Sequence, residues 1–189
     1  MGKGSILLTC FEPFGGRDVN MSSAAADALP GEVSGWALHK LRLPVAFGEA
    51  AEIAAAEARR LVVSAVLSVG EAGGRKALTP ELVALNLRYA RIPDNLGQAP
   101  LDEPVVPGGE NALFSTLPAR NMAVAIAAAS LPAEASYTAG AYVCNDLFYG
   151  LLHAFRGTEV RCGFIHVPAE GFSPAELARG LSAAIAAID

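Results

Sequence analysis

Three cysteines (Cys10, Cys144, Cys162) and three histidines (His39, His153, His166) are the side chains here best suited to nucleophilic chemistry at neutral pH. A thiol beside an imidazole forms a nucleophilic pair, because the imidazole can take the thiol proton and the thiolate is the attacking species. Spacing removes two pairings. His153 follows Cys144 in what reads as one helix, about 13 Å along the axis at 1.5 Å per residue, so it cannot serve that thiol. Cys162 and His166 share one predicted strand, again about 13 Å apart at 3.3 Å per residue. Cys144 beside His166 is the better pairing, with Cys10 as the rival thiol. Cys144 reads as closing a strand and opening a helix, whose positive end is expected to lower the thiol pKa. The competing reading is plain packing: a buried cysteine as an inert small hydrophobe, and His166 as a hydrogen-bonded core histidine. An odd number of cysteines, with no Cys-x-x-Cys and no His-x-x-x-His, points to reduced thiols in a cytoplasm, with no metal and no cofactor.

Positioning these groups requires strands and helices that the hydrophobic pattern places at β/α spacing. Ile6 to Thr9 is a short buried strand that breaks at Cys10-Phe11-Glu12-Pro13-Phe14-Gly15-Gly16. Trp36 to Val45 alternates, and Phe47 to Arg60 is built of helix formers. Leu61 to Val69 reads as a strand buried on both faces, ending in the glycine loop Gly70 to Arg75. Leu82 to Leu87 is extended, and Arg91 to Gly109 is a long Pro, Gly and Asp loop of the kind that carries function. Ala119 to Ser130 is a helix, Ala135 to Val143 a strand running into Cys144, and Asn145 to Phe155 an amphipathic helix. Arg161 to Val167 is the last strand. Ser173-Pro174-Ala175-Glu176 then opens the final helix with an N-cap, a first-turn proline and a capping-box glutamate. The fold class expected is α/β: one three-layer α/β/α domain over residues 1–189 with a twisted, mostly parallel (mixed) sheet. In such sheets ligands bind outside the carboxyl ends of the strands, which collects Cys10 to Gly16, Glu71 to Arg75, Cys144 and His166.

Composition narrows the partners. The 189 residues are 52% apolar and 17% charged, enough to bury a large core, and the formal charge is −5. Scattered basic residues argue against nucleic acid, and the absence of a run of about 20 apolar residues argues against a membrane span. Met1-Gly2-Lys3-Gly4 followed by Ser5 to Thr9 reads as a buried first strand rather than a secretory signal. The loops at Gly15-Gly16 and Gly73-Gly74 could be turns or phosphate cradles, and neither fits a nucleotide-binding glycine pattern.

Five stretches, taken together, resemble pyroglutamyl peptidase type I, the pyrrolidone-carboxylate peptidases. They are Phe11 to Gly16 with Asn20, Ala72 to Arg75 with Thr79-Pro80-Glu81, Ala90 to Asn95, Ser136 to Asn145, and Gly163 to Pro168. The resemblance runs through nearly the whole chain. It implies a cysteine exopeptidase acting on small peptides with an N-terminal pyroglutamate, through a triad that falls on Cys144, His166 and Glu81. It places Arg91 close to the active site as support for developing charge, where a salt bridge to Asp94 or Glu81 is the structural alternative. It makes Phe11 and Phe14 aromatic walls for the lactam ring, with Ile92, Tyr142 and Val143 completing the slot. It also suggests a homo-oligomer, a tetramer.

The chain departs from the family's usual pattern at three places. Cys10 stands where Gly is usual, Glu71 stands where Gln is usual, and the segment after Pro168 is shortened to Ala169-Glu170-Gly171-Phe172 before the last helix. An uncompensated Glu71 in the pocket would oppose both a neutral lactam and a thiolate, so Arg75 or Arg91 is expected to pair with it. Two other functions compete with peptide hydrolysis: a degenerate relative that binds N-terminal lactams or amides without turnover, and a phosphate-dependent glycosyl-transfer enzyme using the glycine loops as anion sites.

Overall fold

A computed structural model describes residues 3–188, so Met1 and Gly2, part of the amino-terminal reading above, lie outside the described residues. In chain order the elements are β1 (Gly4–Phe11), α1 (Met21–Ala28), β2 (Glu32–Val33), β3 (Trp36–Leu43), α2 (Glu49–Leu61), β4 (Ala65–Ala72), β5 (Thr79–Pro80), β6 (Val83–Leu85) and β7 (Arg88–Tyr89). They continue with β8 (Leu101–Glu103), β9 (Ala112–Phe114), α3 (Ala119–Ala128), α4 (Val143–Ala154), β10 (Arg161–Pro168) and α5 (Pro174–Ala186).

The main sheet has the order β2-β3-β1-β4-β10-β5. Its four central strands are parallel, and short antiparallel strands close both edges. The fold is thus α/β with a mixed sheet, as the strand and helix spacing predicts. Alternation along β1 separates two cores: Ile6, Leu8 and Cys10 pack with residues of α1, α3 and α5, while Leu7 and Phe11 pack with residues of α2 and α4. This is the period-two rule of a strand covered on both faces. Among the described residues no helix is long and apolar enough to cross a membrane.

Local chemistry explains most boundaries. At α5, Ser173 and Glu176 form the reciprocal capping box, with Pro174 in the first turn. Helix α2 carries Glu49 and Glu52 at its start and Arg59 and Arg60 at its end, matching the helix dipole, and stops at Val62 in the left-handed region. The strand predicted from Leu61 therefore begins only at Ala65, and it runs on through Glu71 and Ala72, which pair with Val167 and Pro168. Likewise β1 extends through Cys10 and Phe11.

Two differences bear on the site. Helix α1 has no counterpart in the sequence reading, because Met21-Ser22-Ser23-Ala24-Ala25-Ala26 carries too little periodicity; it is set by the Asn20 side chain, which accepts from the Ser22 N–H at 3.0 Å. The strand expected over Ala135 to Val143 does not form. Side-chain hydroxyls turn the chain locally: Ser136 Oγ donates to Thr138 O at 3.1 Å, the Gly140 N–H donates to Thr138 Oγ1 at 3.0 Å, and Gly140 sits at φ 81°. It meets neighbouring strands at isolated points, through the Glu81–Ser136 bridge and the Tyr89 N–H, which donates to Ala141 O at 2.8 Å. Cys144 is consequently the second residue of α4, preceded by a loop.

Candidate active site

The carboxyl ends of β1, β3, β4 and β10 lie along one edge of the sheet, where a cleft of about 640 Å³ opens. Its wall includes Phe11 from the end of β1, Glu71 from the end of β4 and Cys144 from the start of α4. His166 and Glu81 are not part of its wall and are buried, 4% and 0% exposed.

Register decides which groups can meet. His166 is the parallel partner of Gly70 on β4, and paired residues of a parallel ladder send their side chains to the same face. A Cβ built on Gly70 would lie 2.8 Å from Cys144 Sγ and 2.7 Å from Phe164 Cζ. Glycine is thus required at position 70 to admit the Cys144 sulfur to the face from which His166 projects. The Phe164 ring, two residues earlier on the same face, lies 4.8 Å from the imidazole centroid. Cys10 belongs to the opposite core and contacts Leu41 O, and Cys162 is buried with its sulfur near Leu151 O. Neither rival thiol joins this cluster.

His166 Nδ1 lies 2.7 Å from Glu81 Oε1. A carboxylate there accepts the Nδ1–H and leaves Nε2 as the basic nitrogen. The same oxygen ion-pairs with Arg75 Nη1 at 2.7 Å, and Glu81 Oε2 has no hydrogen-bond partner among the described residues. Glu81 is held by its own backbone, which donates to Phe164 O at 2.9 Å on β10.

Helix α4 is fixed at its first turn by two fully buried side chains. Asn145 accepts from the Leu85 N–H at 2.8 Å and donates to Leu85 O and Leu87 O, while Asp146 accepts from the Gly48 N–H at 2.6 Å and from Arg88. The first N–H groups of a helix have no intrahelical acceptor, and the N-cap residue Tyr142 supplies no side-chain cap. These donors lie beside the Cys144 thiol, where a developing oxyanion could be held.

The electrostatics depart from the sequence expectation. Burial, then the charge of Glu81, pushes the Cys144 thiol up to about 12, outweighing Arg75 and the backbone hydrogen bond at Cys144. Burial also lowers the His166 pKa, against the raising effect of Glu81. Both shifts run toward the neutral forms of thiol and imidazole, against a preformed thiolate.

The remaining pocket residues are placed as follows. Phe11, Phe14, Tyr142, Val143 and Ile92 line the cleft, with Tyr142 in ring contact with Phe14 at 5.7 Å and Phe47 at 5.1 Å. Arg91 is exposed on the cleft wall and forms no ion pair among the described residues: Glu81 is engaged by Arg75, and Asp94 accepts backbone N–H groups of Phe47, Leu96 and Gln98. Glu71 pairs with neither Arg75 nor Arg91. Its carboxylate meets Arg17 and accepts the Met21 N–H at 2.6 Å, at the start of α1. The partner differs from the expected ones because Glu71 projects toward the α1 layer, the opposite direction from Gly70. Arg17, Asn145 and Asp146 had no signal of their own in spacing, since each acts through a partner distant in sequence. Among the described residues no three His, Cys, Asp or Glu side chains converge as metal ligands.

A parallel-sheet cleft with a helix-borne thiol on the face of a carboxylate-bound imidazole defines the class of cysteine hydrolases. The chain belongs to the pyroglutamyl peptidase family, whose model matches residues 4–176. It is 43% identical to the pyrrolidone-carboxylate peptidase of Levilactobacillus brevis over 97% of this chain and 96% of that one. With the corresponding Erwinia tasmaniensis protein it shares 46% identity over 86% of this chain and 77% of the other. The crystal structure of Bacillus amyloliquefaciens pyroglutamyl peptidase I superimposes with a TM-score of 0.93 at 34% identity, covering 98% and 97% of the two chains. Pyrrolidone carboxyl peptidase from Thermus thermophilus gives 0.88 at 37% identity over 96% and 99%. The chain is therefore a hydrolase of the cysteine peptidase type.

Proposed function

We propose that this protein hydrolyses the amide bond after an N-terminal pyroglutamyl residue of small peptides, with Cys144 as nucleophile, His166 as general base and acid, and Glu81 as the carboxylate that orients and charge-balances His166. The observation that carries the assignment is the 2.7 Å contact of His166 Nδ1 with Glu81 Oε1, on a strand whose partner residue Gly70 abuts the Cys144 sulfur.

Cys144 Sγ attacks the pyroglutamyl carbonyl carbon as its proton passes to His166 Nε2. Concerted transfer suits a thiol whose pKa is raised by burial. The first N–H groups of α4 hold the tetrahedral oxyanion, with Arg91 adding positive charge nearby. The C–N bond then breaks, the amine departs with the proton from His166, and a thioester remains. Water, deprotonated by His166, attacks the thioester, and pyroglutamic acid leaves with the thiol restored. Pyroglutamate is a neutral lactam without a free α-amine, so recognition falls to apolar walls: Phe11, Phe14, Ile92, Tyr142 and Val143. Glu71 needs no charge from the substrate, because Arg17 and the α1 terminus already answer it. That answers one of the two grounds for reading the chain as a binder without turnover, the other being the shortened segment after Pro168.

The test is release of a chromogenic amine from its pyroglutamyl amide, with and without thiol alkylation, by the native chain and by Cys144→Ala. Activity lost on alkylation and in Cys144→Ala, with an unchanged melting curve, is the expected result. Turnover that survives in Cys144→Ala sinks the nucleophile assignment.

A further inference from the structure

We propose that Arg75 is a positioning residue for this reaction: it supplies the counter-charge to buried Glu81, aims that carboxylate at His166, and ties both to the loop that leads into the Cys144 helix. The proposal rests on the triad reading above.

The Arg75 guanidinium reaches three segments at once. It ion-pairs with Glu81 Oε1 at 2.7 Å, bonds the Thr79 hydroxyl on β5, and donates to Thr138 O at 3.2 Å in the loop before α4. A planar fork with several donors in fixed directions can do this, and a lysine ammonium cannot match it. His166 and Arg75 converge on the same carboxylate oxygen, while Oε2 is unpartnered among the described residues. Glu81 is wholly buried, so without Arg75 its charge would face only the His166 imidazole. A buried carboxylate with no counter-charge is strongly disfavoured, so loss of Arg75 would cost the orientation of the acceptor that fixes the His166 tautomer.

Arg75 also acts on the pair electrostatically. The titratable and charged groups facing this cluster are Arg75 from the loop after β4, Glu81 after β5, Cys144 on α4 and His166 on β10, with Glu71 acting on Cys144 only through its charge from the α1 side of β4. The Arg75 charge lowers the pKa of both Cys144 and His166. Removing it raises the pH at which His166 becomes a free base and makes the thiol proton harder to release. Both changes act against catalysis at neutral pH.

The experiment is a double-mutant cycle, Arg75→Met with Glu81→Gln, read as kcat/KM for a pyroglutamyl amide across pH, with melting curves as a check on folding. In the native background Arg75→Met is expected to lower kcat/KM about 10- to 100-fold, as loss of a group that orients a histidine's partner does elsewhere, and to move the acid limb to higher pH. In the Glu81→Gln background the same change should cost less than about threefold, because there is no carboxylate left to balance. Equal losses in both backgrounds, or a lower plateau with an unmoved acid limb, overturn the proposal and leave the triad standing. A Glu81→Gln enzyme with full activity overturns the triad reading itself, and the proposal with it. If Arg75→Met does not fold, Arg75→Lys carries the same cycle; it keeps the charge without the fork, so partial activity with little movement of the acid limb is expected.

Discussion

Replacing Glu71 by Gln separates a carboxylate that touches substrate from one that holds the cleft wall. In the structure its charge is met by Arg17 and by the Met21 N–H at the start of α1, with side-chain exposures of 47% for Arg17 and 13% for Glu71. A half-exposed ion pair contributes up to about 1 kcal/mol, and a negative charge at a helix N-terminus roughly 0.3–1 kcal/mol. Gln keeps one oxygen that can accept the Met21 N–H but presents a donor to Arg17, so a net loss of about 1 kcal/mol is expected. For a chain of this size that lowers the melting temperature by roughly 2–4 °C, and less in high salt, where the native ion pair is already screened. Because the carboxylate is engaged away from the Cys144 face, kcat/KM for a pyroglutamyl amide should change by less than tenfold, about 1.4 kcal/mol. The assay is hydrolysis by both forms across pH, alongside melting at low and high salt. A native enzyme that is silent until Glu71 becomes Gln would refute this reasoning and restore the reading of a binder without turnover. A loss beyond a hundredfold in Glu71→Gln would show instead that the charge reaches the substrate.

Gly70→Ala places a methyl 2.8 Å from Cys144 Sγ and 2.7 Å from Phe164 Cζ. It should destabilise the fold by about 1–3 kcal/mol through overpacking and cut kcat by about a hundredfold through displacement of the sulfur; an unimpaired variant would contradict the close approach. Cys10→Ala should retain activity, since Cys10 lies in the opposite core, and loss of turnover with a native melting curve would reverse the choice of thiol. The acid limb of kcat/KM should fall below the ordinary histidine value of 6.5, because burial favours the neutral imidazole and activity is lost only as pH drops through that lowered pKa; a limb above 6.5 counts against the buried pair. The thiol pKa values are raised from 9.0 to about 11 for Cys10 and about 12 for Cys144 and Cys162, so stability is intact below pH 9.0 and declines above it as unfolded thiols ionise first. Urea unfolding from pH 8 to 11 checks this, and a midpoint that rises over that range would be the wrong sign.

What the sequence by itself determined is local or periodic. The Ser173-Pro174-Glu176 start of α5, the helix formers of α2 and the doubly buried runs of β4 and β10 are all encoded within a few residues, so reading them needs no partner. The order of short motifs likewise pointed to the family. Periodicity failed where side chains bond to nearby backbone: the Asn20 cap started α1 in a stretch with little pattern, and the Ser136 and Thr138 hydroxyls turned a predicted strand into a loop. The tertiary structure alone decided which thiol shares a face with His166, because a strand's alternation has no absolute sign until its neighbours are in register. It decided too that Arg17 answers Glu71 from 54 residues away, leaving Arg75 to Glu81. And it decided the direction in which the Cys144 thiol shifts: the helix end is visible in the sequence, but the burial that raises the thiol pKa comes from residues the chain brings together only by folding.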